Sequence, residues 1–540
     1  MQGNVAPLKI GQEAFLVASL IERCPRVMML RELVQNGIDA AVHAPEGARR
    51  VRLSGLEIDG VRKLAIWNSG RGMSADDLYR MGDISTAIRN SAGSQQRYGM
   101  GAKVAALGSN PLGVRYRSCR DGRVYECLFG QRDGVYGRVR RAGVDGQLSE
   151  IIEVTDLAVS EGADAAQDWT EVVLFGRRHD QDTVANPYDN DPPMGPNWIA
   201  ETLYRRYWQI PEGVTIVLAE GLHEGGGERT LRLLGDRPST RGARREVAIS
   251  PDGVKVHYLF DPADPERPWE TLSSRAELQQ TFGLLALVHR GEMYRTRAGS
   301  QWAYGAAAFG VAFAPRHYSI VVELPADYAV APNTYRMFLQ GHGSQQSELL
   351  VDAFAELARN LRPPWLLEQQ REFESQSGAS DDLRADILEL ARKLGVPPAA
   401  ADHENSAHDL PFRIVLLRDE QDIRDRWLLG RAAMFEPKTK ELFINTGYES
   451  VGKLAEEALA SRPGVGASVR ARARAGAERA MIARVCRAAV HALSKASDRD
   501  GWNEGNITRA LSPESFSAVA EDLSGFLDPL VQELEVRNVA

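Results

Sequence analysis

The sequence predicts an α+β protein with an N-terminal α/β sandwich, a second α+β region and a mainly helical C-terminal region. Helical patterns and short strand-like runs alternate over the first 180 residues. A hairpin pattern follows a polar linker, and helical patterns dominate after residue 363. Because 540 residues are too many for one compact core, we expect about three domains, at 1–180, 195–362 and 363–540.

The N-terminal region begins with a helical pattern from Gly11 to about Ala44, in which Leu16 and Leu33 are among the apolar positions. Two strands, a glycine-rich loop, a polar stretch and a second glycine loop follow, and a short helical run comes next at 102–107. The predicted strands are 50–53, 61–67, 114–118, 124–128, 151–155 and 170–175. This order predicts a layer of helices on a mixed sheet.

Turn-forming residues mark the later boundaries. The stretch 177–197 is rich in Asp, Pro and Asn, which is typical of a linker or an exposed loop. Segment 246–260 has the pattern of a hairpin whose turn is Pro251-Asp-Gly253. Pro363-Pro364 predicts the end of the second region, and Ser512-Pro513 predicts the start of a helix.

Composition excludes several classes of protein. The apolar fraction of 43% and the charged fraction of 26% are those of a globular protein rather than a disordered or membrane protein. The net charge of -8 argues against a general nucleic-acid coat but leaves a local basic patch open. No stretch approaches the roughly 20 apolar residues of a membrane span, so we expect no membrane partner. The four cysteines form no C-x-x-C pair, which suits a reducing compartment, and we expect a cytoplasmic protein.

Three polar residues at helical spacing form the first candidate motif. Glu32, Asn36 and Asp39 stand at positions i, i+4 and i+7, so they point to one side of a helix. A polar stripe of this kind is usually a solvated face. The same pairing also suits magnesium–nucleotide chemistry, because a carboxylate can deprotonate a water and an amide oxygen can bind Mg²⁺.

A glycine-rich loop directly after a strand forms the second motif, Asn68-Ser-Gly70-Arg-Gly72-Met73. Glycine lets the backbone approach a ligand closely. A simple turn has the same residues, so this motif alone is weak evidence for a site.

The third and fourth motifs follow in the order that a nucleotide site requires. Tyr98-Gly99-Met-Gly101-Ala-Lys103 leads into a helix, where free N–H groups can form a phosphate cradle. Lys103 either adds a cation to this cradle or is a surface lysine. Thr170 opens a later strand and by itself indicates only a good β-former.

Together the four motifs resemble those of the GHKL superfamily of ATPases, whose nucleotide site has the Bergerat fold. This superfamily includes the 90-kDa heat-shock chaperones, MutL mismatch-repair proteins, type II topoisomerase ATPase subunits, MORC proteins and histidine kinases. The run E-L-V-Q-N-G-I-D-A at 32–40 is similar to the family's N box. N-S-G-R-G-M resembles its first glycine box and Y-G-M-G-A-K its second, so the resemblance covers about the first 180 residues.

The resemblance implies ATP and Mg²⁺ as cofactors and Glu32 as the general base, with Asn36 as the Mg²⁺ ligand. It implies an ATP lid over 74–97. The residues implied in nucleotide binding are Asn36, Asp39, Asn68, Gly70, Gly72, Met73, Gly99, Gly101, Lys103 and Thr170. Among them, Gly70, Gly72 and Met73 would lie at the adenine, Gly99 and Gly101 at the phosphates, and Thr170 at the adenine through water.

The sequence departs from the family pattern at two positions. Gln96 replaces the first glycine of the second glycine box, which affects the lid hinge. Asn68 replaces the acid that recognises adenine. An amide presents one donor side and one acceptor side, so it matches adenine in one orientation and guanine in the other.

A segment of the second region resembles the middle domain of the 90-kDa chaperones. It is Val330-Ala-Pro-Asn333-Thr-Tyr-Arg336-Met-Phe-Leu-Gln340, beside the family's N-x-S-R-E-M-L-Q. The resemblance implies that Arg336 is catalytic and reaches the γ-phosphate when the domains close, with Gln340 as a weaker candidate. A cation delivered in this way stabilises phosphoryl-transfer charge. A surface arginine at a helix start is the alternative.

We therefore expect a chaperone-like conformational ATPase that hydrolyses ATP slowly, forms a homodimer and acts on an unidentified protein client. A non-catalytic nucleotide sensor or scaffold is the alternative, which Asn68 supports. A DNA-associated ATPase of the MutL or MORC kind ranks third because the chain is acidic. Its basis is an arginine cluster, formed by Arg470, Arg472, Arg474, Arg479, Arg484 and Arg487.

Overall fold

The structure is a computed structural model that describes most of the chain. The described residues are 12–82, 101–143, 146–224, 226–236, 242–265, 271, 283–311, 313–333, 335–341, 347–377, 381–399, 410–460, 465–495 and 502–536. Helices and strands are mixed throughout this part of the chain, as the α+β prediction requires.

Helices occur in all three regions. They are α1 (Glu13–Arg23), α2 (Met28–Ala41), α3 (Ala75–Met81), α4 (Gly101–Leu107), α5 (Thr155–Ser160), α6 (Trp198–Tyr204), α7 (Ser300–Gly305), α8 (Ala355–Asn360), α9 (Pro364–Ser377), α10 (Asp381–Lys393), α11 (Glu420–Asp425), α12 (Glu449–Leu459), α13 (Ala467–Ser494), α14 (Glu504–Ala510), α15 (Pro513–Glu521) and α16 (Leu527–Val536).

Strands also occur in all three regions. They are β1 (Arg50–Ile58), β2 (Val61–Asn68), β3 (Val114–Arg120), β4 (Arg123–Arg132), β5 (Val135–Arg138), β6 (Arg141–Ala142), β7 (Leu148–Ser149), β8 (Ile151–Glu153), β9 (Trp169–Leu174), β10 (Thr215–Leu218), β11 (Arg229–Thr230), β12 (Arg244–Ile249), β13 (Lys255–Phe260), β14 (Leu284–His289), β15 (Glu292–Ala298), β16 (Tyr318–Leu324), β17 (Val330–Pro332), β18 (Leu339–Gly341), β19 (Arg413–Leu417), β20 (Ala433–Glu436) and β21 (Glu441–Asn445).

The N-terminal region is a helix layer on a mixed sheet. Within the described residues its strands lie in the order β11-β10-β1-β2-β9-β3-β4-β5, with β8 paired to β4. Helix α2 packs on β1, β2 and α4, and Leu30, Val34 and Ile38 of α2 share a core with Val51 and Ile66. The predicted helix over 11–44 is two helices, because Pro25 disfavours a helical conformation at the residue before it.

The first sheet continues beyond the predicted linker at 177–197. Strand β10 pairs with β1 in parallel and β11 pairs with β10, although both strands follow residue 195. Trp198 and Leu233 belong to the same core. The second sheet begins only at β12, so the boundary between the sheets differs from the predicted one. Loop-forming composition identifies exposed chain, but it does not tell which sheet the next strand joins.

The second sheet has the order β12-β13-β16-β14-β15. The predicted hairpin is confirmed as β12 and β13, and Gly253 in its turn has a φ of 81°. Strands β17 and β18 form a separate hairpin that carries the segment with Arg336 at its tip.

The C-terminal region is helical around a small sheet that the sequence did not predict. Strands β19, β21 and β20 form this sheet, with β19 parallel to β21. Every residue of β21 is buried, so the strand shows a continuous buried run rather than the alternation of an exposed strand. The predicted helix start at Ser512 is confirmed, because its side chain accepts a hydrogen bond from the Ser515 N–H and Pro513 follows it. Among the described residues, no helix has the length and apolar character needed to cross a bilayer.

Candidate functional site

The first and third sequence motifs contact each other. Glu32 lies on α2, and Gly101 is the first residue of α4. A β-carbon on Gly101 would overlap the Glu32 carboxylate, at Oε2. Glycine is therefore required here by a close approach between two helices that carry candidate site residues.

The remaining residues of the first motif have different surroundings. Asn36 is exposed, and Asp39 is partly exposed and accepts a hydrogen bond of 3.0 Å from Nε2 of Gln35. Gly37, between them, faces the sheet, where a β-carbon would lie 3.6 Å from Cβ of Asn68. Asn36 is thus accessible to solvent, whereas the neighbouring Gly37 packs against Asn68, the buried first residue of the second motif.

The second motif packs against the end of α2. A β-carbon on Gly70 would lie 2.5 Å from Cβ of Ala40 and would meet its backbone as well. Gly72 has a φ of 64°, and a β-carbon there would overlap the carbonyl oxygen of Cys119. Both glycines are needed for close backbone approach within the protein itself.

Asn68 joins the second motif to Thr170. Its Oδ1 accepts a hydrogen bond of 3.0 Å from the Gly70 N–H, and its Nδ2 donates one of 3.2 Å to the Thr170 carbonyl. Asn68 is also the register partner of Thr170 in the β2–β9 ladder. The Oγ1 of Thr170 lies 2.7 Å from Oγ of Ser118, and Ser118 Oγ accepts a hydrogen bond of 2.7 Å from the Met73 N–H.

The third motif is only partly within the described residues. Lys103 lies on α4 and is buried, so it is not the surface lysine of the alternative interpretation. Gly99 and the lid beyond residue 82, including Gln96, lie outside the described residues. The start of the predicted lid is α3, which Ser74 and Asp77 cap reciprocally.

A buried arginine connects Glu32 to the second region. Arg31 is fully buried, and its guanidinium donates both to Glu32 Oε1 and to the carboxylate of Glu292 at the start of β15. Burial would lower the pKa of Arg31, but Glu292 and Glu32 outweigh it and the pKa is raised. Tyr207 donates a hydrogen bond of 3.2 Å to the Arg31 carbonyl from the segment that follows α6.

Glu292 contacts three arginines that come from three different parts of the chain. Arg31 and Arg206 donate hydrogen bonds to it, with Nε of Arg206 at 2.9 Å from Oε2, and Nη1 of Arg336 lies 3.8 Å from Oε1. Burial works to raise the pKa of Glu292, but Arg206 and Arg31 outweigh it and the pKa lies below its usual value. We call Arg31, Arg206, Glu292 and Arg336 the Glu292 cluster.

Arg336 reaches this cluster from the tip of the β17–β18 hairpin. The alternative of a helix start is wrong, because Asn333 caps a tight turn instead: its carbonyl accepts the Arg336 N–H at 2.8 Å and its Oδ1 accepts the Met337 N–H at 2.7 Å. Arg336 has a φ of 54° in this turn. Gln340 lies in β18 of the same hairpin.

Sequence reasoning missed two residues that the structure brings into the site. Ser118 is a buried hydroxyl within β3, and the only available signal was a polar residue in an otherwise predicted strand. Glu292 follows the turn Arg290-Gly291, and no spacing relates it to Glu32. In the structure Arg31 contacts both Glu32 and Glu292 and so connects them.

Half of the arginine cluster on α13 forms salt bridges with neighbouring elements. Salt bridges join three of its members to carboxylates on other helices or turns, namely Arg479 to Glu533, Arg484 to Asp522 and Arg487 to Asp386. These pairs favour a structural role for half of the cluster over phosphate binding.

Comparison with known proteins assigns no family to the chain. No protein-family model matches the chain, and no curated protein matches it. The described residues contain no group of three or more His, Cys, Asp or Glu side chains arranged to hold a metal ion.

Proposed function

We propose that the chain is a Mg²⁺-dependent ATP-binding protein that hydrolyses ATP slowly and couples nucleotide to the contact between its first two regions. The observation that carries the proposal is that each of the four motifs contacts at least one of the others, so that they form one connected set. Glu32 meets Gly101, Ala40 meets Gly70, and Asn68 bonds to Thr170. These residues are far apart in sequence, so their convergence supports one shared site.

The side chains suit a magnesium nucleotide chemically. Glu32 offers a carboxylate that can act on water, and Asn36, one helical turn later, offers an exposed amide oxygen of the kind that Mg²⁺ accepts. Bound Mg²⁺ would neutralise phosphate charge. Glu32 would orient and deprotonate the attacking water, and Lys103 and Arg336 would supply cations toward the phosphates.

The Glu292 cluster supports coupling between the regions. Arg31 adjoins Glu32 on α2, and Glu292 begins a strand of the second sheet, so three ion pairs in series connect the candidate base to Arg336. A shift of the hairpin that carries Arg336 would therefore change the surroundings of Glu32. By resemblance to the 90-kDa chaperones, the proposal extends to homodimer formation, a protein client and a cytoplasmic location.

A non-catalytic nucleotide sensor is the second candidate. The contact between Arg31 and Glu32 favours it, because Oε1 of Glu32 already accepts a hydrogen bond from a buried guanidinium and is not free to accept a proton from water. The two candidates differ in hydrolysis and share nucleotide binding.

The test compares wild type with Glu32→Gln, measuring ATP binding by calorimetry and phosphate release in the presence of Mg²⁺. We expect binding within a few-fold of wild type and a loss of hydrolysis of about 100-fold or more, because only the base is removed. Glu22→Gln on α1, an exposed glutamate outside the site, is the matched control and retains both activities.

Each result separates the candidates. Normal hydrolysis by Glu32→Gln would remove Glu32 as the base. Binding without hydrolysis in wild type would establish the sensor. Failure of wild type to bind ATP would reject both nucleotide candidates.

A further inference from the structure

The second sheet ends in a strand whose outer edge has no neighbouring strand among the described residues. There β12 pairs with β13 and with no other strand. Its register with β13 runs from 244 to 249 without a shift, and the strand contains no proline. A regular edge strand presents backbone N–H and C=O groups with which another strand can pair. Strand β12 therefore lacks the bulge or proline that blocks such pairing.

Alternate residues of β12 point their backbone groups toward this edge. Ser250, directly after the strand, donates its N–H to the Val254 carbonyl at 2.9 Å, on the side of β13. Successive residues of an antiparallel strand point their backbone groups to opposite sides, so the even-numbered residues of β12 bond to β13. The odd-numbered residues Arg245, Val247 and Ile249 present theirs to the edge.

The side chains of these three residues lie on one face of the sheet. Val247 is 41% exposed and Ile249 is 62% exposed. The guanidinium carbon of Arg245 lies 5.3 Å from the centroid of the Trp208 ring, on the same face. The charged residues of β12 are confined to its first half, and β-branched side chains favour strand pairing in the second half. The edge thus combines backbone donors and acceptors with an exposed apolar surface.

We propose that β12 pairs in antiparallel orientation with β12 of a second copy of this chain, so that two five-stranded sheets join across a twofold axis. The inference goes beyond the proposed function, which takes a homodimer from resemblance alone and assigns it no surface. A twofold interface has to be self-complementary, because the same surface patch is used by both copies.

One register makes β12 self-complementary. Residues that face the edge pair only with residues that face the edge, so Val247 opposite Val247 of the second copy sets Arg245 opposite Ile249. Each such pair exchanges two backbone hydrogen bonds, and no like charges are opposed. A shift in one direction would place Glu246 opposite Glu246, which is destabilising. A shift in the other direction would place Arg245 opposite Pro251, which has no N–H.

The Val247→Pro variant tests the pairing by sedimentation velocity of the full chain, over a dilution series without nucleotide. The Val247 N–H faces the edge, so a proline there removes no hydrogen bond to β13. It removes both hydrogen bonds at the twofold axis. We expect wild type to form dimers as its concentration rises, and the variant to dimerise at least about 10-fold more weakly.

Val247→Thr is the matched control. Threonine keeps both the β-branched shape and the backbone N–H, so its dimer constant should stay within about threefold of the wild-type value.

Cross-linking covers the case in which the proline variant does not fold. Val247→Cys places two thiols opposite each other at the axis, with Cα atoms about 5.5 Å apart, within the range of a disulfide. Oxidised glutathione should therefore join the two copies. Val135→Cys is the control, because Val135 is 53% exposed on β5, at an edge of the first sheet, and should remain largely unlinked.

Each outcome decides the inference. Dimers that weaken in the proline variant, or that cross-link through position 247 and not through 135, support it. A wild type that stays monomeric, a folded proline variant that dimerises as well as wild type, or equal cross-linking at the two positions would overturn it. Neither experiment contains nucleotide, so a failure here leaves the proposed nucleotide site standing, and failure to bind ATP leaves this interface standing.

Discussion

Two buried carboxylates, each close to arginines, have pKa values shifted in opposite directions. Glu292 lies among arginines where the first and second regions meet. Asp422 lies on α11 of the C-terminal region, near Arg426, which follows the last residue of that helix. The arginines lower the pKa of Glu292 in spite of its burial. Burial raises the pKa of Asp422 to about 6, and the nearby Arg316 and Arg426 do not offset it.

Hydrogen bonding explains the difference between the clusters. Both oxygens of Glu292 accept hydrogen bonds from guanidinium groups, whereas Oδ1 of Asp422 is buried without a hydrogen-bond partner in the described part of the chain. Arg426 stacks instead on the Phe443 ring, 4.0 Å from its centroid, and burial lowers its pKa to about 10. Nearby opposite charge therefore stabilises a buried carboxylate only when it is delivered as directed donors.

The largest effect is expected from Glu292→Ala. The change removes a carboxylate that both Arg31 and Arg206 contact and leaves Arg31 only its pair with Glu32, which costs about 3–5 kcal/mol of unfolding free energy. Urea denaturation measures it. Glu348→Ala, which breaks the more exposed pair with Arg295, is the control and should cost about 0–1 kcal/mol. Equal losses in the two variants would contradict a special role for the Glu292 cluster.

The Asp422→Asn substitution should raise the free energy of unfolding instead of lowering it. At pH 7.5 Asp422 is ionised in the folded protein, and its raised pKa corresponds to a cost of about 3 kcal/mol. The asparagine carries no charge, so we expect the variant to be more stable by about 2–3 kcal/mol. Glu420→Gln on the exposed side of α11 should change stability by less than about 0.5 kcal/mol. A destabilised Asp422→Asn protein would show that the ionised form is favoured in the fold.

The pH dependence of stability should separate the clusters further. The folded pKa of Glu292 is lowered, so its contribution is present above its unfolded pKa of about 4.3 and is lost as pH falls through the folded value. The folded pKa of Asp422 is raised, so its penalty is absent at low pH and develops as pH rises toward about 6. Between pH 7.5 and 3.5 the urea midpoint of Asp422→Asn should therefore converge on wild type, and that of Glu292→Gln should begin to approach wild type as pH falls below about 4.3. Curves parallel to wild type would contradict both assignments.

The smallest effect on stability is expected from Arg336→Ala. Its contact with Glu292 is 3.8 Å long and partly exposed, so its loss should cost about 0–1 kcal/mol. If Arg336 also contacts the phosphates at the proposed site, the variant should lose most of its ATP hydrolysis while its free energy of unfolding stays close to that of wild type. Parallel measurement of phosphate release and urea unfolding checks this separation, and a variant with normal hydrolysis would leave Arg336 only its structural contact.

Local patterns correctly predicted elements in all three regions. The strands around 50–67 and 114–128, the hairpin at 246–260 and the helix start at Ser512 all depend on neighbours within a few residues, and the structure contains each of them. The small C-terminal sheet was missed because its short, buried strands have no alternation. The position of β10 in the first sheet depends on a parallel pairing with β1 more than 150 residues earlier, which no local signal encodes.

The residue types for the proposed nucleotide site, and their spacing along α2 and the glycine loops, are already visible in the sequence. Which of them meet depends on tertiary packing. Packing sets Glu32 against Gly101, the strand register aligns Asn68, Thr170 and Ser118, and ion pairs connect Arg336 to Arg31 through Glu292. The physical reason is that hydrogen-bond direction and charge balance depend on partners distant in sequence, whereas helical and strand periodicity depend on adjacent residues.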